Sequence, residues 1–421
     1  MSSPTNHIAK LVDHLFRHES GKMIAVLTRL LGIQNLQTAQ DIVQDTLLQA
    51  MNTWSIHGTP GNPSAWLYKV AKNKAIDFLR RHKKFNEITP KYAYLLQSEL
   101  TRGNTITQLF LDHEIQDSQL RMMFACCHPS IPTESQIALT LKTLCGLSTA
   151  EIARAFLTTD DTITKRIYRA KEKIKAEAIE LEVPAGDQLP SRINTVLKSL
   201  YLLFNEGYNS SHPEQLLRED LCHEAMRLCL LLAQHPVAGF PRANALLALM
   251  CFQASRFATR LDENNTIVLL KYQDRSKWSR PLIQKGFDYL DKAAEPFEVS
   301  PYHLEAAIAS LHAAASSFEK TDWQSIYHLY EMLYQLQPNP VVAMNKAIAS
   351  AYAISKQQAL EELQQIKGLE QHHLYYSSIG EVYFELNQTG MARDFFEKAI
   401  SLTTSSAEKK LLQDKIQRCL N

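Results

Sequence analysis

Through most of this 421-residue chain apolar residues recur three and four positions apart, and that spacing restricts the fold more than any other feature. Ile42, Val43, Thr46, Leu47 and Ala50 form one such stripe, Leu67, Val70, Ala71, Ala75 and Phe78 a second, and Ile163, Ile167, Ala170 and Ile174 a third. A period near 3.6 lines one side of an α-helix, whereas a strand face needs a period of two. Only 13 glycines interrupt the pattern, and Ala, Leu, Gln and Lys abound, so the predicted class is all-α. The length suffices for two or three domains, each with its own core. The longest apolar runs, such as "LCLLLA" at 228–233, fall far short of a bilayer span. "MSSPTNHIAKLVDHLF" lacks the basic start and apolar core of a secretory signal. Seven scattered cysteines without a CxxC spacing are expected to be reduced thiols of a cytoplasmic protein.

Two breaks divide the chain. "VPAGDQLPS", residues 183–191, sets two prolines and a glycine between strongly helical stretches, and periodicity also fades over about 85–117. The expected pieces are a front domain (1–85), a linker (86–117), a middle domain (118–182) and a large back domain (192–421). The whole chain has a net charge of +1, but residues 1–183 carry +4 and the remainder −3, which directs any polyanion to the front half.

In the middle domain Ser148 and Glu151 have capping-box spacing, so a helix starts there with Ile152, Ala153 and Phe156 facing inward. "LTTDD" ends it, and Thr159 or Asp160 caps a second helix. On that second helix Thr162, Lys165, Arg166, Arg169 and Lys173 point away from the apolar stripe. A cationic helix held by a shorter partner across a tight turn suits the major groove, where Lys and Arg neutralise phosphates and Arg reads guanine edges. In the front domain Asn62 and Pro63 open a helix whose outer side carries Lys69, Lys72, Asn73 and Arg80, with Trp66 at the border. Exposed bases of melting DNA stack on such a ring, although Trp66 equally serves as a core filler. On the preceding helix Asp41, Gln44, Asp45 and Gln49 lie outside; they serve either solvation or a protein partner, and the residues alone do not choose.

Together these stretches resemble the sigma-70 family, in its extracytoplasmic-function group. "AQDIVQDTLLQAMNTW" is similar to the family's region 2 segment A-E-D-L-V-Q-E-x-F, which implies that Asp41, Gln44 and Asp45 dock on the β′ clamp helices of core RNA polymerase. "AWLYKVAKNKAIDFLRR" resembles the segment that melts and reads the −10 promoter element, implying that role for Trp66, Lys69, Lys72, Asn73 and Arg80. "TAEIARAFLTTDDTITKRIYRAKEKI" resembles the region 4 helix-turn-helix, implying −35 contacts by Thr162, Lys165, Arg166, Arg169 and Lys173 and a partner in the polymerase β flap. Asp161, Thr164 and Lys165 depart from the family's common Gly and Lys-Ser at these positions. The resemblance covers about residues 10–180, and "MFACCHPSIPTESQIALTLKTLCGLSTAEIARAF" extends it to a subgroup with a long helical C-terminal extension. "YLLFNEGYNSS", "REDLCHEAMRL" and "YQDRSKWS" resemble that extension.

The back domain reads as successive amphipathic helices. Tyr376, Ile379, Gly380, Tyr383, Ala392, Phe396 and Ala399 match the tetratricopeptide pattern of large and small positions, with Thr404 where the pattern has proline. Ile326, Tyr330, Leu333 and Pro338 fit the second half of a weaker repeat. Such repeats present a face to a peptide or protein, and a regulatory role is expected here. Cys126, Cys127 and His128 are too tightly spaced for the usual zinc ligands, so buried thiols at a helix end are expected. His212, Glu214, Asp220 and His223 lie near "FNEGY", with Asp220 and His223 spaced to face each other, and a small-ligand pocket stays open as a reading. No HExxH, glycine-rich phosphate loop or nucleophile elbow occurs, so neither catalysis nor a metal or cofactor is expected. Two rivals remain: a helix-turn-helix regulator with a repeat-based sensor, and a repeat scaffold that binds no DNA.

Overall fold

A computed structural model describes residues 4–81, 111–156, 158–184, 188–209, 216–236, 239–263, 266–294, 299–403 and 405–420. Among them the structure is helical, and one isolated bridge, Leu261 with Ile267, is its β feature. Most of the expected linker 86–117 lies outside the described residues. Backbone contacts divide the chain into two compact units, Met1–Glu206 and Gly207–Asn421.

The first unit is built on α1 (Pro4–Leu31), which packs against α2 (Leu36–His57), α3 (Pro63–Arg81), α4 (Asp112–Cys126) and α5 (Thr133–Leu144). Met23, Ile24, Ala25, Val26 and Leu27 are buried in succession, so α1 is enclosed on all sides there rather than along one stripe. Polar contacts fix its neighbours. Glu19, itself buried, accepts hydrogen bonds from Tyr68 and Ser64 of α3, and Arg29 pairs with Glu114 (2.6 Å) and Asp117 (3.1 Å) of α4. The α2 stripe from Ile42 to Ala50 is buried as expected. On α3 the buried line is Leu67, Ala71, Ala75 and Leu79; Val70 and Phe78, expected inside, are half-buried at its border. Steps of four residues turn the stripe by about 40° each, and the packing of α1 and α2 selects this edge.

Two shorter helices follow, α6 (Thr149–Ala155) and α7 (Asp160–Ala176), and then α8 (Gln188–Tyr208). The compact division comes at 206/207, past the proline and glycine break at 183–191. Arg192 of α8 is buried in the first unit, and its charge acts on Cys127 and His128. Cys126 and Cys127 are buried at the end of α4, beside Thr143 (3.5 Å) and Thr140 (3.8 Å). Burial pushes the Cys126 thiol up to about 11 and the Cys127 thiol further.

The second unit runs through α9 (Glu219–Ala233), α10 (Pro241–Ala254), α11 (Phe257–Arg260), α12 (Arg280–Ala293), α13 (Pro301–Ala314), α14 (Trp323–Leu336), α15 (Pro340–Ala353), α16 (Lys356–Gln365), α17 (His373–Glu385), α18 (Thr389–Leu402) and α19 (Ser406–Leu420). α10 is buried from Ala245 to Phe252 because α9, α12 and α13 surround it. From α14 onward each helix packs on the next, with Asp322, Asn339 and Ser355 capping α14, α15 and α16. Gly380 of α17 meets Phe396 of α18 so closely that a Cβ would sit 2.7 Å from the ring. Tyr376, Ile379, Tyr383, Ala392, Phe396 and Ala399 are all buried around that contact, as are Ile326 and Leu333 in α14. Tyr330 is half-buried, Pro338 is exposed, and Thr404 lies outside the described residues.

Candidate nucleic-acid and polymerase interface

The helix-turn-helix forms from the signals its sequence carries. Ser148 caps α6 in a full capping box, with Glu151 N–H on its Oγ at 3.1 Å and its own N–H on Glu151 Oε2 at 2.8 Å. Thr159 caps α7 by accepting from Thr162 N–H at 3.3 Å, and Asp160 and Asp161 in the first turn complement the helix dipole. Ile163, Ile167, Ala170 and Ile174 are buried, mainly on α5. Ile152 and Ala153 are buried in α6, while Phe156, expected inside, is half-buried.

The outer side of α7 keeps its cations, with differing freedom. Lys165, Arg169 and Lys173 are exposed and Thr162 is half-buried, its Oγ1 2.8 Å from that of Thr159. Lys165 pairs with Asp161 (2.6 Å) and Lys173 with Glu177 (2.6 Å), exposed and solvent-screened contacts that hold these cations only weakly. Arg166 differs: it is half-buried, pairs with Glu134 at the start of α5, and lies 5.8 Å from the Phe156 ring. It stands about 60° from Ile163 around the helix, closer to the buried stripe than the other cations, so α5 captures it.

On α3 Asn62 caps the helix through Ala65 N–H (3.0 Å), and Lys69, Asn73 and Arg80 are exposed while Lys72 is half-buried. Arg80 reaches Asp77 at 3.7 Å. Trp66 is half-buried, its ring edge-on to the fully buried Trp54 with centroids 5.4 Å apart. On α2 Asp41, Gln44 and Asp45 are all exposed, Asp41 accepting from Gln37 (2.8 Å) and Asp45 lying 4.0 Å from Lys74. Leu48, one turn beyond Gln44 and Asp45, is 59% exposed on the same face, and Met51 follows it at 39%. Sequence reasoning missed both; the available signal was an apolar residue placed opposite the buried stripe.

Residues 15–85 match the family described as Sigma-70 region 2, residues 121–174 match Sigma-70, region 4, and residues 192–294 match a family of unknown function. An uncharacterized protein of Rhizobium meliloti (strain 1021) is 36% identical over 377 residues, 89% of this chain and 88% of that protein. The ECF RNA polymerase sigma-E factor of Haemophilus influenzae is 28% identical over 173 residues, 39% of this chain and 86% of its own. The ECF RNA polymerase sigma factor SigL of Mycobacterium tuberculosis (strain H37Rv) is 26% identical over 176 residues, 42% and 93% of the respective chains. This chain belongs to the sigma-70 family, extracytoplasmic-function group. No solved structure matches it.

The sigma factor thus carries α1–α3 in its region 2 match and α5–α7 in its region 4 match, with a helical extension behind them. Regions 2 and 4 touch in this structure. Lys171 of α7 donates to Gln37 Oε1 (2.7 Å) and to Gln40 Oε1 of α2, and burial together with the Lys142 charge lowers its pKa. Among the residues near "FNEGY", Asp220 pairs with Arg218 (3.6 Å) and the His223 ring lies edge-on to Phe257 (6.0 Å); His212 and Glu214 lie outside the described residues. Among the described residues no three His, Cys, Asp or Glu side chains could hold a metal ion, and no helix is long and apolar enough to cross a membrane.

Proposed function

We propose that this sigma factor docks on the β′ clamp helices of core polymerase through the α2 face bearing Asp41, Gln44, Asp45 and Leu48. The observation that carries this reading is that face itself: three exposed polar or acidic side chains border a leucine left 59% exposed. An apolar residue rimmed by polar ones marks a protein interface more than a solvated surface. The α3 helix, with Trp66, Lys69, Lys72, Asn73 and Arg80, then opens and reads the −10 element. Thr162, Lys165, Arg166, Arg169 and Lys173 of α7 hold the −35 element, with the β flap as region 4's polymerase partner. The factor joins no bonds itself; nucleotide chemistry belongs to the polymerase. It acts in the cytoplasm, where both partners are.

Asp45→Lys and Leu48→Asp are each expected to weaken binding to core polymerase at least about tenfold, while leaving the unfolding temperature unchanged because both side chains are exposed. Surface-plasmon measurement on immobilised core polymerase checks this; undiminished affinity in both variants would remove the docking face from α2.

The second unit, with its tetratricopeptide-like pair α17–α18, serves regulation by binding a peptide, protein or small ligand. Its removal is best made after Tyr208, because α8 contributes Arg192 to the first unit. Promoter-specific transcription by the shortened chain is expected to change in level or lose its response to stimulus. Identical output and identical response would end the regulatory reading.

A further inference from the structure

Three arginines of the second unit gather around two aromatic rings, in stretches outside the proposed promoter and polymerase contacts. Tyr208 closes "FNEGY", Arg256 precedes α11 and Arg260 ends it, and Arg275 and Trp278 belong to "YQDRSKWS". The Arg260 guanidinium carbon lies 3.7 Å from the Tyr208 ring centroid and that of Arg256 lies 5.8 Å from it. Arg256 also stands 5.8 Å from the Trp278 ring, and Arg275 5.0 Å from it. Burial lowers the pKa of Arg256 and of Arg275, and the neighbouring Arg260 charge adds to this at Arg256 and the Arg256 charge at Arg275.

The three differ in how the protein answers their charge. Arg275 is held by neutral but oriented acceptors: the carbonyls of His312 (2.7 Å) and Ala315 (2.8 Å) at the end of α13, and Thr321 Oγ1 (3.1 Å). The negative end of a helix dipole suits it there. Arg256 donates to the Tyr208 hydroxyl (2.7 Å) and to Gln253 Oε1, both uncharged. Arg260 has a buried Nε without an acceptor. Among the described residues neither Arg256 nor Arg260 meets a carboxylate in an ion pair; the nearby Asp220 pairs with Arg218. His312 adds no further positive charge, since burial and the Arg256 and Arg275 charges hold it down to about 3 and hence neutral. Ring faces offset part of the cost of two such cations, but a planar guanidinium fork is matched in full only by an oxyanion. Arg256, Arg260 and Tyr208 are each half-buried rather than fully enclosed.

We propose that Arg256 and Arg260, sharing the ring of Tyr208, bind a small oxyanion ligand through its phosphate or carboxylate group. The site deepens the regulatory reading of the second unit by giving it a ligand class, and rests on that reading only for its consequence in transcription. Calorimetric titration of the full chain with inorganic phosphate and, separately, with citrate at constant ionic strength tests it and distinguishes the two sources. Saturable binding with a Kd below about 1 mM is expected for at least one probe. Arg260→Gln, at a half-exposed position, is expected to weaken it at least about tenfold, and Arg260→Lys to restore it only in part, because an ammonium cannot form the fork. Circular dichroism confirms that both variants are folded. No saturable heat with either probe, undiminished binding by Arg260→Gln, or binding of a DNA oligonucleotide in place of both probes would overturn the proposal. Binding that leaves promoter-directed transcription unchanged would keep the site and remove its regulatory role, whereas a deletion effect without binding would do the reverse.

Discussion

Gly21→Ala is expected to destabilise the first unit by about 2 kcal/mol net, although the same change in an ordinary helix interior stabilises it by about 1 kcal/mol. Gly21 lies inside α1, where a Cβ would fall 2.1 Å from the Leu144 carbonyl oxygen and 2.8 Å from its carbonyl carbon. Both are backbone atoms at the end of α5, and no rotamer change moves them out of the way. The end of α5 must retreat by about 1 Å, through a core packed to crystal-like density, at an overpacking cost of about 3 kcal/mol. Since α1 belongs to region 2 and α5 to region 4, the loss falls on the contact between the two regions. Gly390→Ala supplies the contrast: its Cβ meets nothing within 4 Å at the start of α18, so helix propensity alone acts and stability is expected to hold or rise. Urea unfolding of the full chain measures both. Equal stability of Gly21→Ala and the parent would show that α5 does not close on α1 at this point.

Arg169→Ala is expected to weaken promoter binding about tenfold or more and to reduce the salt dependence of affinity by about one counterion. Arg169 is exposed on the outer side of α7, free to meet a phosphate or a base edge. Arg166→Ala is expected to cost less, although sequence alone ranks the two equally, because Arg166 must leave Glu134 and the Phe156 ring before it meets DNA. Glu134→Gln releases that hold and is expected to raise affinity, since it also removes a negative charge beside the proposed DNA-binding side. Fluorescence anisotropy of labelled promoter DNA, with polymerase carrying each variant over a range of salt, checks all three. An Arg166→Ala loss exceeding that of Arg169→Ala would reverse the assignment.

Much of the fold was legible in the residues because its causes are local. Ser148 with Glu151, Thr159, and Asn62 with Pro63 start their helices through contacts within three residues, so spacing alone locates them. The stripes of α2 and α7 are buried as their periodicity implies. The α3 stripe was legible only to within one edge: periodicity specifies an arc, and the choice of Leu79 over Val70 and Phe78 follows from the packing of neighbouring helices. Candidate site residues were legible as a face, but their freedom was not. Whether a cation on that face is idle, paired with its own helix as Lys165 is, or captured from another as Arg166 is, depends on residues up to 32 positions away.

By itself, then, the sequence determined the helical class, the caps, the basic outer sides of α3 and α7 and the family, since each depends on interactions spanning one or two turns or on motif order. Tertiary structure alone decided that Gly21 admits the end of α5, that Lys171 bridges to Gln37 and Gln40, that Leu48 stays exposed, and that Arg256, Arg260 and Tyr208 converge. The physical reason is range: steric exclusion, burial and charge act between whatever groups folding brings within a few ångströms, and separation along the chain does not encode that distance.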